Sequence, residues 1–95
     1  MTIQDIQKKT TPVFQQYGIT YAGLFGSFAR GESTDTSDVD IIVKLGKPMG
    51  MFQYMKFVDG LESSLRRKVD VVTEKSLNKH IKPYITPDIK TIYEE

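Results

Sequence analysis

The run Val39-Asp40-Ile41-Ile42-Val43-Lys44-Leu45 constrains this chain more than any other segment. It is rich in β-branched residues and reads as a strand. Side chains alternate along a strand, so Val39, Ile41 and Val43 share one face. Asp40 stands on the other face, and Asp38 lies two positions earlier on that same side. One face therefore needs an apolar layer against it. The other carries two acids that repel each other unless a cation sits between them.

The remaining elements are read around this strand. Residues 2–17 carry Ile3, Ile6, Val13, Phe14 and Tyr17 at near-helical spacing, with Thr2 as the N-cap and Gly18 as the stop. Pro12 either kinks that helix or opens a second, shorter one capped by Thr10 or Thr11. Ile19–Phe25 reads as a strand broken by Gly26-Ser27, and Phe28-Ala29-Arg30 as a single helical turn ended by Gly31. Residues 32–37 are turn-like, and Gly46, Pro48 and Gly50 make a loop. The stripe Met51, Tyr54, Met55, Val58, Leu61, Glu62 and Leu65 predicts a helix over 51–65 with these residues facing the core. Residues 68–73 predict a third strand, and 76–82 and 87–93 weaker helices separated by Pro83 and Pro87. Arg66-Arg67-Lys68 reads as a solvated turn and His80 as a surface residue. The order predicts an α/β (α+β) fold with a small mixed sheet flanked by helices, and one domain over 1–95.

Composition narrows the function. Thirteen Lys and Arg against twelve Asp and Glu leave a net charge of +1, which argues against direct nucleic-acid binding or an electrostatic grip on a membrane. With no cysteine and one histidine, disulfides, thiolate metal sites and histidine-rich zinc sites are excluded. No apolar run approaches the ~20 residues that span a bilayer. The first residues lack the basic and apolar blocks of a signal peptide, so a cytoplasmic protein is expected.

The chemistry lies in Gly26-Ser27-Phe28-Ala29-Arg30-Gly31, five intervening residues, and Ser37-Asp38-Val39-Asp40. Gly26 allows a sharp exit from a strand and close backbone approach. Ser27 opens a helical turn whose first N–H groups lack internal partners and suit an anion. Asp38 and Asp40 suit Mg²⁺ or Mn²⁺. If the third strand neighbours the second, Asp70 joins the same face, and three carboxylates hold two divalent ions beside a phosphate-binding turn. That equipment serves metal-assisted phosphoryl or nucleotidyl transfer.

These residues resemble the signature of the DNA polymerase β-like nucleotidyltransferase superfamily, and within it the minimal nucleotidyltransferases (MNT) of prokaryotes. The resemblance extends to Tyr17-Gly18, Leu24-Phe25, Leu61-Glu62, Val69-Asp70-Val71-Val72 and Ile92-Tyr93-Glu94. It implies the polymerase β-like fold, ATP or another NTP as donor, two Mg²⁺ ions with Mn²⁺ as the alternative, and release of pyrophosphate. It places Gly26 and Ser27 on the donor's phosphates, with Arg30 and Ser37 as further nucleotide-binding positions. Arg30 is open to two readings, a phosphate contact or a structural ion pair. The resemblance makes Asp38 and Asp40 the metal ligands, and Asp70 the third acid, which helps activate the acceptor hydroxyl. Leu65-Arg66-Arg67 departs from the Leu-Gly-Arg usual before the third strand, a change in a turn.

MNT proteins are commonly encoded beside HEPN-domain RNase toxins. The resemblance thus implies an antitoxin that transfers AMP to a tyrosine of a HEPN partner, with homo- or hetero-oligomers both open. A non-catalytic antitoxin that masks its toxin is the alternative, and clustered carboxylates with no task would be a liability to it. Transfer to RNA or to a small molecule such as an aminoglycoside is disfavoured by the chain's size.

Overall fold

The computed structural model describes residues 1–32, 34, 37–74 and 89–95. The first helix, α1, spans Ile3–Gln16. Its start is a capping box: the Asp5 N–H donates to the Thr2 hydroxyl (3.1 Å), and the Thr2 N–H donates to the Asp5 carboxylate (3.0 Å). The helix runs through Pro12 as one element. Thr10 and Thr11 do not cap a second helix. Their hydroxyls donate one turn back, to the carbonyls of Ile6 and Gln7, each at 2.7 Å.

Strands β1 (Ile19–Phe25), β2 (Val39–Leu45), β3 (Val69–Thr73) and β4 (Lys90–Glu94) form one sheet in the order β3-β2-β1-β4. β1 is antiparallel to both β2 and β4, and β2 is parallel to β3. The single turn α2 (Ser27–Arg30) follows β1, and α3 (Met51–Leu65) links β2 to β3. A parallel pair needs such a crossover, and a helix supplies it.

Alternation along the strands divides the sheet into two faces. Val39, Ile41 and Val43, with Leu24, Val69 and Ile92, pack into one core with Ile6 and Phe14 of α1 and Phe57, Leu61 and Leu65 of α3. Phe57 is its aromatic centre, with ring centroids 6.1 Å from Phe14 and 5.5 Å from Tyr17. Burying each such side chain contributes roughly 1.5–3 kcal/mol. Asp40 and Asp70 occupy the opposite face.

Two expectations are corrected. The helix expected over 87–93 is replaced at Lys90–Glu94 by strand β4, paired to the outer edge of β1. The stretch Thr91-Ile92-Tyr93 alternates, and β1 offers an edge of unmet N–H and C=O groups that a strand satisfies and a helix does not. The helix expected over 76–82, with His80 and Pro83, falls outside the described residues.

The buried stripe of α3 is also rotated from the one expected. Phe57 is fully buried, while Met51 and Met55 are 78% and 55% exposed. The core is met by Phe57, Leu61 and Leu65, flanked by Tyr54, and Met49 ahead of the helix fills the space beside it. No helix among the described residues is long and apolar enough to cross a membrane.

Candidate active site

The site forms where β1 ends and β2 begins. Phe25 pairs with Asp40, so β1 delivers Gly26 beside the Asp40 side chain. Gly26 has φ +74° and ψ −152°, a backbone region that L side chains rarely adopt. A Cβ at this position would also overlap the Asp40 carboxylate, 3.1 Å from its carboxyl carbon. Backbone and space both demand glycine here. Ser27 then opens α2, and Phe28, 5% exposed, anchors the turn in the core.

Asp40 lies directly across from Asp70 in the parallel β2–β3 register, so both project from the same face. Asp38 sits one residue before β2 and is exposed; Asp40 is half-buried and Asp70 exposed. Burial pushes the Asp40 carboxyl above its ordinary value. The charges of Asp70 and then Asp38 push the same way, and the Arg30 guanidinium partly offsets them. The three acids expected to meet are thus near enough to act on one another. They do not close into a cage: among the described residues no group of three acids is placed to hold one ion jointly.

This donor set suits a hard divalent cation. All its groups are carboxylate oxygens, and the repulsion acting on Asp40 is of the kind a cation relieves. An open row of acids fits an ion that takes one or two carboxylates from the protein and the rest from a bound phosphate and water, as Mg²⁺ does.

The other expected positions are placed as follows. The Arg30 Nε donates to the Glu32 carboxylate at 3.2 Å, which matches the ion-pair reading. Ser37 closes the loop ahead of Asp38: its hydroxyl accepts from the Thr34 N–H (2.8 Å), and its own N–H donates to the Thr34 carbonyl (3.1 Å). Its hydroxyl thus has a partner inside the loop.

Sequence reasoning missed Arg67, which it left in a solvated turn. Arg67 is half-buried. Its Nη1 donates to the carbonyls of Thr34 (3.2 Å) and Ser37 (3.0 Å). Its guanidinium carbon lies 5.2 Å from the centre of the Phe28 ring. Glu62 was missed in the same way: its carboxylate accepts the Val69 N–H at 3.1 Å and fixes the start of β3. The available signal for Arg67 was its place two residues past the end of a helix and directly before a strand. Two concavities, of about 220 and 310 Å³, lie away from the acids, around Lys44, Gly46 and Glu74 and around Tyr17, Pro48 and Gln53.

The sequence pattern of the family described as Polymerase beta, Nucleotidyltransferase matches residues 8–95. The chain belongs to that family. Nucleotidyltransferases of this kind generally use divalent metal ions.

Similar proteins narrow the likeness. The protein adenylyltransferase MntA of Thermococcus cleftensis is 31% identical over 85 residues, covering 85% of this chain and 86% of MntA. A Methanocaldococcus jannaschii protein provisionally named a protein adenylyltransferase is 35% identical over 85 residues, covering 90% and 91% of the two chains.

Two solved structures share the fold. One is a toxin–antitoxin crystal structure with AMP-PNP, at a TM-score of 0.80 and 21% identity, covering 94% of this chain and 73% of that one. The other is a tri-AMPylated Shewanella oneidensis HEPN toxin in complex with its MNT antitoxin. It superposes at a TM-score of 0.75 and 19% identity, covering 99% of this chain and 74% of that one.

Proposed function

We propose that residues 1–95 act as one cytoplasmic nucleotidyltransferase domain that transfers AMP from ATP to a protein hydroxyl. The acceptor is a tyrosine of a HEPN toxin, and the protein serves as its antitoxin. The observation that carries this reading is the alignment of Asp40 with Asp70, beside a glycine whose missing side chain leaves room at Asp40. The protein adenylyltransferase relatives support the reaction, and the tri-AMPylated toxin bound to a protein of the same fold supports the acceptor class.

Asp38 and Asp40 would hold Mg²⁺, joined by Asp70, and the bound ion would supply charge neutralisation at the transferring phosphate. Gly26 and Ser27 would seat the donor's phosphates against the start of α2. Asp70, exposed at the outer edge of the acidic row, faces an incoming hydroxyl and accepts its proton. The acceptor oxygen forms a bond to the α-phosphorus. The bond from that phosphorus to the bridging oxygen breaks, and pyrophosphate departs with the electron pair. A row of acids open to solvent admits a side chain presented by another protein.

The deciding experiment mixes the protein with a HEPN partner, ATP and Mg²⁺ and measures the partner's mass. A gain of one or more AMP units is expected with wild type and none with Asp70→Asn, while both still bind the partner. A toxin silenced without any gain in mass would replace this reading with masking.

A further inference from the structure

Arg67 makes contacts that join the two halves of the site. The loop ending at Ser37 leads directly into Asp38, and two of its carbonyls, Thr34 and Ser37, accept from one Arg67 nitrogen. The flat side of the same guanidinium rests on Phe28, which follows Ser27 in the turn that would seat phosphate. The Arg67 backbone lies two residues ahead of β3, whose third acid, Asp70, is aligned with Asp40. One side chain thus touches the Asp38 loop and the Ser27 turn while standing at the entry to the Asp70 strand. Lysine would not duplicate this, because only a planar guanidinium can stack on a ring while its edge donates to carbonyls.

We propose that Arg67 is a positioning residue: it ties the loop carrying Asp38 to the turn carrying Ser27 and so couples metal binding to nucleotide binding. The inference rests on the functional reading above. It goes further by assigning a task to a residue outside the acidic row and outside the Gly-Ser turn. The turn has anchors of its own. Phe28 is buried, and the Arg30 N–H donates to the Gly26 carbonyl at 3.1 Å. The Asp38 loop is exposed and short of buried anchors, so loss of Arg67 falls on the metal side of the site.

The test measures AMP-PNP affinity by calorimetry, with Mn²⁺ and with EDTA, for wild type, Arg67→Met and Arg67→Lys. Methionine keeps an apolar stem over Phe28 and removes every donor. In Arg67→Met the tightening produced by Mn²⁺ is expected to shrink about tenfold, the scale set by losing hydrogen bonds from a charged donor. Affinity in EDTA should stay within about twofold. Arg67→Lys should fall between the two.

Thermal unfolding without metal identifies a purely structural role. Under that role the melting temperature drops while the folded fraction keeps its full Mn²⁺ effect, and the inference is overturned. If Arg67→Met does not fold, Arg67→Lys decides: a wild-type Mn²⁺ effect overturns the proposal, and a reduced one upholds it. Failure of wild type itself to tighten with Mn²⁺ would overturn the functional reading, a distinct outcome.

Discussion

At the scale of single residues, the site is governed by what surrounds Asp40. Its carboxyl is held above its ordinary value by burial first, then by Asp70 and Asp38. A carboxyl raised in the folded state opposes folding when ionised. In metal-free protein that penalty is present above the folded-state pKa and fades as pH falls toward the unfolded value near 3.8. Asp40→Asn is therefore expected to raise the metal-free melting temperature at pH 7 and to flatten this part of the pH–stability profile. The same variant should lose the stabilisation that wild type gains from Mg²⁺ plus nucleotide, which acts by mass action. A lower metal-free melting temperature in Asp40→Asn would show that the repulsion at this carboxylate is already neutralised within the fold.

Gly26 tests the same neighbourhood sterically. Alanine there must hold a positive φ and displace the Asp40 carboxylate. A cost of about 1–3 kcal/mol is expected, together with loss of the metal-dependent rise in melting temperature. A Gly26→Ala protein with wild-type metal response would mean that Asp40 is not the ligand.

At the scale of elements, the end of α3 is under local strain. Arg66 caps it at φ +55°, the only non-glycine residue with positive φ among the described residues. This is the position where related sequences usually carry glycine. An L side chain in that conformation costs roughly 1–2 kcal/mol, and part of a glycine replacement's gain is lost to unfolded-chain entropy. Arg66→Gly is expected to stabilise by about 1 kcal/mol, or a rise of several degrees in melting temperature, without changing nucleotide affinity. A destabilised Arg66→Gly protein would mean that the arginine side chain makes contacts worth more than the strain.

At the other end of the chain, β4 depends on Ile92, which is 1% exposed in the shared core. Ile92→Ala should cost about 2–5 kcal/mol in chemical denaturation. A cost below about 0.5 kcal/mol would show that β4 does not dock.

At the scale of the whole molecule, the two sheet faces have separate tasks. One is covered by α1 and α3 and supplies the core; the other leaves the acids facing solvent. The start of α3, with Met51, Phe52 and Met55, lies outside that core, and Phe52 is 83% exposed. Phe52→Ser should therefore change stability by no more than about 0.5 kcal/mol. Urea unfolding of this variant beside Ile92→Ala would separate surface from core within one assay. A large loss from Phe52→Ser would place the start of α3 in contact with something that stabilises the fold.

What the sequence determined by itself was information carried over short separations. Alternation in β2 set Asp40 apart from Val39, Ile41 and Val43. The Thr2–Asp5 box and the Gly26-Ser27 break were legible because caps and turns are made by neighbours. The spacing from Gly26 to Asp40 was enough to indicate the family, because the residues that bind phosphate and metal are fixed by chemistry more than by packing.

The tertiary structure decided whatever depends on distant partners. Asp70 joins Asp40 only because β3 pairs in parallel, in one particular register, across an intervening helix. Lys90–Glu94 is a strand because β1, about 70 residues earlier, has an edge to fill. Periodicity placed α3 correctly along the chain but did not set its rotation, which follows from how Phe57 fits against Phe14 and Tyr17 of α1. Arg67 looked like surface charge because its partners, Phe28, Thr34 and Ser37, lie 30 or more residues away and only folding brings them within reach.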